Sequence, residues 1–158
     1  MLHTGDKFPD VLGLDEAGRE VRVSDYAGRT LVVYFYPKDS TSGCTAEACS
    51  FRDHYATLRE QGVEVVGVSV DSAASHQRFI DKQQLPFRLV ADVDKQLVQA
   101  AGVWGEKKLY GRTYMGTLRT TFVIGPDGSI RRVFQPKEIK TKSHAEQGMA
   151  ALQAAEQD

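Results

Sequence analysis

Two patterns of apolar spacing divide the chain. Leu31-Val32-Val33-Tyr34-Phe35-Tyr36 is an unbroken apolar run rich in β-branched and aromatic residues, and Val63–Val70 (Val-Glu-Val-Val-Gly-Val-Ser-Val) is nearly one. Runs of that kind predict strands covered on both faces. Between them the period changes. Cys44, Ala48, Phe51, Tyr55 and Leu58 recur at helical spacing, and at roughly 100° per residue they fall on one stripe about 80° wide. The spacing predicts a helix from about 44 to 60, with Gly62 as a left-handed cap.

The rest of the chain reads in the same way. Residues 8–12 and 19–23 flank the turn-like stretch 14–18 and predict a small N-terminal hairpin; 24–28 suits a short helical turn. Ser72 to Gln84 is a helix with Ala73, Gln77 and Ile80 on one side, stopped before Pro86. Arg88 to Ala91 is a short strand, and Asp94 to Ala101 a helix ended by Gly102. Residues 103–117, with Trp104, Tyr110, Tyr114 and three glycines, read as a long irregular segment. Strands follow at 119–124 and 129–134, joined through Pro126-Asp127-Gly128, and a final helix covers about 143–156.

No internal repeat, low-complexity tract or linker composition interrupts this order, so a single domain over 1–158 is expected. Alternating strands and helices followed by a hairpin and a helix predict an α/β domain with a mixed central sheet flanked by helices. That is the order of a thioredoxin-like fold with an N-terminal β-hairpin extension. In such sheets ligands gather at the carboxyl ends of parallel strands, where residues 37–44 lie.

Composition narrows the function by exclusion. Of 158 residues, 41% are apolar and 26% charged, ordinary for a globular domain. A formal net charge of −1 gives no electrostatic reason to expect nucleic acid or an anionic membrane as partner. Met1 to Lys7 lacks the apolar core of a signal peptide, and no apolar run approaches spanning length, so a cytoplasmic protein is expected. Two cysteines in a reducing compartment are more often catalytic or metal-binding than structural. The histidines (His3, His54, His76, His144) are scattered, leaving no metal set in view.

Both cysteines fall in the strand–loop–helix stretch. Cys44 belongs to the helix's first turn, where main-chain N–H groups lack intrahelical partners and the helix end carries partial positive charge. A thiolate is favoured there, which makes a cysteine nucleophilic near neutral pH. A buried structural cysteine is the competing reading; the strand-to-helix turn and the neighbouring hydroxyls of Ser40, Thr41 and Ser42 favour reactivity. Cys49 lies about 140° further round the helix, with Cα atoms roughly 8–9 Å from those of Cys44. A disulfide needs Cα atoms within about 7 Å. Either the two never pair, or pairing is coupled to unwinding the helix.

These residues resemble a known family. Pro37-x-x-x-Thr41-x-x-Cys44 resembles the active-site motif of the peroxiredoxins. The wider Tyr34-Phe35-Tyr36-Pro37-Lys38, Gly43-Cys44-Thr45 and Ala48-Cys49 are similar to the bacterioferritin-comigratory-protein (PrxQ) branch. So are Gly102-Val103-Trp104-Gly105-Glu106-Lys107, Tyr114-x-Gly116 and Arg119-Thr120-Thr121-Phe122-Val123-Ile124, so the likeness covers nearly the whole chain. Ser42 departs from it, standing where the family usually has proline.

The resemblance implies a thiol-dependent peroxidase acting on hydrogen peroxide or organic hydroperoxides. Cys44 would attack the O–O bond, Cys49 would resolve the product as an intramolecular disulfide, and thioredoxin or a similar dithiol would reduce it. It implies that Arg119 reaches Cys44, where a forked, permanently charged guanidinium suits both thiolate and peroxide; read alone, Arg119 is equally a solvated strand end. Thr41 would orient peroxide oxygen, though by itself it reads as a loop residue or helix cap. Pro37 would shield the site while terminating the strand. Glu47 suits a helix N-terminus and is left outside the site; Trp104 reads as core or pocket wall. No metal, haem or flavin is required, and a monomer is expected. A general thiol–disulfide oxidoreductase and a redox sensor or holdase are the alternatives.

Overall fold

The two apolar runs form neighbouring parallel strands, β3 (Thr30–Phe35) and β4 (Val63–Ser69), after an N-terminal hairpin of β1 (Val11–Leu14) and β2 (Glu20–Arg22). The structure is a computed structural model and describes residues 1–157. β5 (Arg88–Ala91) extends the sheet beyond β4 in parallel. On the other side of β3, β8 (Thr120–Ile124) and β9 (Ile130–Phe134) add antiparallel strands, giving the order β5-β4-β3-β8-β9. Every residue of β4 and all but the first of β3 are buried, as strands covered on both faces must be.

Each face has its own core. Against one lie α1 (Ser42–Glu60), α2 (Ala73–Gln83) and α4 (His144–Gln157), gathering Tyr34, Phe51, Leu58, Phe79, Leu85 and Leu89. The Tyr34 ring stacks on Phe51 at a centroid distance of 4.8 Å. Gly67 makes room for it: a Cβ there would stand 2.8 Å from Tyr34 Cζ. The N-terminal hairpin and α3 (Gln96–Ala100) cover the opposite face around Phe8, Leu12, Val33, Phe35, Val98 and Phe122. Each large apolar side chain buried this way contributes on the order of 1.5–3 kcal/mol before ordering costs.

Most predicted elements stand, with ends moved by one to three residues. α1 starts at Ser42, and Gly62 follows it with a φ of 76°, the left-handed conformation expected of it. One expectation fails. Residues 103–117 are not irregular: β6 (Trp104–Leu109) and β7 (Arg112–Thr117) pair as an antiparallel hairpin. Tyr110 and Gly111 close it with φ of 51° and 77°, a two-residue turn of the type that matches strand twist. Most of its residues are at least partly exposed, so no alternation marked it. On α2 the buried side chains are His76 and Phe79, with Ile80 packed half-buried against the same core.

Candidate active site

β3 ends at Phe35, buried Tyr36 follows, and the chain must turn before α1. Pro37, half-buried, supplies no N–H to continue the ladder. Asp39 is buried, and Ser40 takes a φ of 64°, a left-handed conformation that costs a non-glycine residue on the order of 1–2 kcal/mol. Thr41 occupies the cap position of α1, but its side chain caps nothing: Oγ1 donates to the Lys38 carbonyl at 2.9 Å. The hydroxyl therefore tightens the loop instead of the helix. Its main-chain carbonyl accepts from Thr45 N–H at 2.8 Å, which fixes the first turn containing Cys44.

Cys44 is 1% exposed. Arg119 reaches it from the residue before β8, the antiparallel neighbour of β3. Its Nη2 donates to Cys44 Sγ at 3.3 Å, and its Nη1 to Glu47 Oε1 at 2.6 Å. A Cβ on Gly43 would stand 3.3 Å from Nη2, so the glycine leaves room for the guanidinium to reach the sulfur. Lys107 of β6, whose Nζ donates to the Thr117 carbonyl at 3.0 Å, adds a second cation nearby; burial and the Arg119 charge hold its pKa below the ordinary lysine value.

Glu47 is fully buried, and burial pushes its carboxyl up to about 7 against the opposing pull of Arg119. One oxygen is held by Arg119; the other has no hydrogen-bond partner among the described residues. His144 Nε2 lies 3.9 Å from that free oxygen and 2.8 Å from Thr121 Oγ1. Burial keeps His144 below the usual histidine pKa, and the Arg119 charge acts in the same direction. Glu47, left outside the predicted site, thus holds the arginine that touches Cys44. Sequence offered only a carboxylate near a helix start, and its partner lies 72 residues away.

Cys49, also on α1, is half-buried, and its Sγ lies 3.6 Å from Gln83 Oε1 at the end of α2. Arg52 Nη1 donates to the Gln83 main-chain carbonyl at 2.7 Å, closing this contact between α1 and α2. Both cysteines are free, and the helix between them is continuous. Of the predicted site residues, Cys44 and Arg119 are brought into contact, Pro37 and Thr41 lie in the loop that leads into α1, and Cys49 stands apart. Among the described residues no three His, Cys, Asp or Glu side chains converge as a metal set.

Comparison with known proteins identifies the class. The chain belongs to the AhpC/TSA family, whose model matches residues 4–133. Within it the similar proteins are peroxiredoxins of the Bcp/PrxQ branch, which makes this chain a thiol-dependent peroxidase of thioredoxin-like fold. It is 40% identical over 151 residues to peroxiredoxin Bcp of Bacillus subtilis, covering 96% of this chain and 95% of that one. With peroxiredoxin Bcp of Escherichia coli K12 the identity is 42% over 143 residues, 90% of each. A cysteine-to-serine variant of Xylella fastidiosa PrxQ superposes with a TM-score of 0.89 at 33% identity, over 98% of both chains. The bacterioferritin comigratory protein of Xanthomonas campestris, described for its alkyl peroxide reduction activity, superposes at 0.83 with 36% identity, over 92% of this chain and 90% of that one.

Proposed function

We propose that Cys44 is the thiol that reduces peroxide, that Cys49 resolves the oxidised product, and that an external dithiol such as thioredoxin completes the cycle. The observation that carries this reading is the 3.3 Å contact from Arg119 Nη2 to Cys44 Sγ in the first turn of α1. A permanently charged donor beside a sulfur, at a helix end rich in free N–H groups, is arranged for a thiolate and for the charge that develops on peroxide oxygen.

The chemistry balances as follows. The Cys44 thiolate attacks one peroxide oxygen; the S–O bond forms as the O–O bond breaks. The departing oxygen takes a proton and leaves as water or alcohol. Sulfur, oxidised by two electrons, is now a sulfenic acid. Cys49 thiol attacks that sulfur, water leaves, and a disulfide remains. Two electrons from the dithiol return both cysteines to thiols. Thr41 orients the peroxide and Pro37 limits water access, while Glu47 steers Arg119.

An alkyl hydroperoxide is a substrate class consistent with the activity described for the Xanthomonas relative. A single acting domain, monomeric and cytoplasmic, goes with this reading, since two cysteines in a reducing compartment are more often catalytic than structural. General disulfide exchange fits less well, because a protein disulfide cannot reach a sulfur that is 1% exposed. The deciding assay follows peroxide loss coupled to NADPH, thioredoxin reductase and thioredoxin. Turnover that requires both Cys44 and Cys49 supports the assignment; turnover surviving Cys44→Ser overturns it.

A further inference from the structure

His76 of α2 is completely buried, and both its ring nitrogens face acceptors. Nδ1 lies 2.7 Å from Asp39 Oδ2, and Nε2 lies 2.8 Å from the Val90 main-chain carbonyl of β5. A carbonyl oxygen carries no proton to offer. The Asp39 carboxylate is already an acceptor twice more, from Tyr36 Oη at 2.6 Å and Ser75 Oγ at 2.8 Å. Tyr36 Oη, which gives its proton to Asp39, also lies 3.5 Å from Nδ1. A neutral imidazole would leave one bare nitrogen among acceptors, an arrangement that favours the imidazolium, the form that donates from both nitrogens.

Other charged or titratable groups facing the ring are few. Tyr36, just beyond β3, packs at a ring separation of 6.3 Å, and Asp71, just beyond β4, adds a second negative charge. Burial opposes the imidazolium, yet the Asp39 hydrogen bond and charge, the Val90 carbonyl and Asp71 together hold its pKa above the ordinary value. Burial likewise works against the Asp39 carboxylate, and His76, Tyr36 and Ser75 hold its pKa below the ordinary one.

The pair grips the loop that leads to Cys44. Asp39 is held through its side chain by His76 and through its N–H by Asp71 Oδ2 at 2.9 Å, which in turn accepts from Ser69 Oγ at 2.7 Å. On one side of Asp39 is Lys38, whose carbonyl receives the Thr41 hydroxyl; on the other is left-handed Ser40. A backbone in that conformation persists only where its surroundings over-determine it.

We infer that His76 is a positioning residue of the peroxidase reaction: as a buried imidazolium it locks Asp39, and through Asp39 the 37–41 main chain, in the shape that sets Thr41 and the first turn of α1 around Cys44. This rests on Cys44 being the peroxide-reducing thiol. The lock is intact between the two titrations. It is lost as pH rises through the His76 value, when the ring gives up a donor, and as pH falls through the Asp39 value.

Two measurements test it. In reduced, 15N-labelled protein at pH 7, both His76 ring nitrogens should show the protonated signature; a bare-nitrogen shift overturns the proposal without any variant. In a Cys49→Ser background, where Cys44 is the remaining thiol, His76→Gln should slow oxidation by one equivalent of hydrogen peroxide at least about tenfold, a displaced-geometry effect. Alkylation of Cys44 by iodoacetamide should change little, because it does not need the loop's oriented hydroxyl. The fall in the peroxide-to-alkylation ratio at alkaline pH should vanish in the variant. A folded His76→Gln protein with an unchanged peroxide rate overturns the lock. Peroxide reduction surviving Cys44→Ser would instead remove the reading beneath it, and the ring signal separates the two failures.

Discussion

Glu47 and Arg119 form a buried ion pair, Arg119 Nη1 donating to Glu47 Oε1 at 2.6 Å, with the arginine's other terminal nitrogen left for Cys44. The carboxylate is completely buried and the arginine side chain 19% exposed. An arginine held from one side presents a fixed donor to the sulfur, and fixed donors are what stabilise developing charge without reorganisation. The same carboxylate places negative charge one helical turn from the thiol. Its net value to the site is therefore steering of Arg119, set against repulsion of a thiolate.

Arg119→Lys keeps the charge and loses the fork that serves Glu47 and Cys44 together. Peroxide reactivity of Cys44 should fall about 10²-fold, the usual effect of deleting one preorganised donor. Stopped-flow oxidation rates measure it, with circular dichroism to show that the fold persists. A second-order rate within a factor of two of the parent, a margin of about 0.4 kcal/mol, would take Arg119 out of the site.

Glu47→Gln tests the electrostatic cost. The carboxyl sits at about 7 in the folded protein, above the 4.5 ordinary for the group. A raised value means that the neutral acid is the form the fold prefers. Its contribution is complete below about 4.5 and is lost as pH rises through about 7. Glutamine keeps an acceptor for Arg119 and never ionises, so the variant should gain stability relative to the parent as pH goes from 5 to 8. Urea unfolding at the two pH values compares them. Parallel pH slopes for both proteins would show that Glu47 does not titrate in this range.

Cys44→Ser should abolish peroxide consumption. Cys49→Ser should keep the first oxidation and lose thioredoxin-supported turnover, leaving a sulfenic acid that dimedone captures on Cys44. Mass spectrometry after one equivalent of peroxide locates the adduct. Dimedone on neither cysteine, or turnover that persists in the Cys49 variant, contradicts the division of labour.

How far these residues could be read from sequence depended on the range of their interactions. β3, β4 and α1 were legible because burial on both faces or along one stripe writes itself into local spacing. The β6–β7 hairpin was not, since its pairing is through main chain while its side chains lie largely in solvent. Cys44 was legible by its place at a strand-to-helix turn. His76 and Glu47 were not: each is a polar group in a core, made tolerable by a partner 37 or 72 residues away. Thr41 fell where a cap residue belongs, yet its hydroxyl turns back to Lys38, a choice made by the loop and not by the helix.

The geometry of α1 carries the last prediction. Cys44 and Cys49 belong to one continuous helix, where five residues of separation put Cα atoms roughly 8–9 Å apart and about 140° round the axis. A disulfide requires about 7 Å or less, so the oxidised form cannot keep 44–49 helical. Unwinding gives up the Thr45-to-Thr41 hydrogen bond, the Arg119 contact with Cys44 and the Gln83 contact with Cys49. At roughly 0.5–1.5 kcal/mol for each neutral bond, the first turns can open locally. Further along the resistance rises. Ser50 Oγ accepts from Ala145 N–H at 3.0 Å, joining α1 to α4, and Phe51 is wedged on Tyr34. Melting should therefore begin at the start of α1 and stop near Ser50. Hydrogen exchange on both redox forms reads this directly: amides of 45–49 should lose protection on oxidation, while those of β3 and of α1 beyond Phe51 keep theirs. Full protection of 45–49 in protein shown by mass spectrometry to carry the Cys44–Cys49 bond would refute the coupling between chemistry and unwinding.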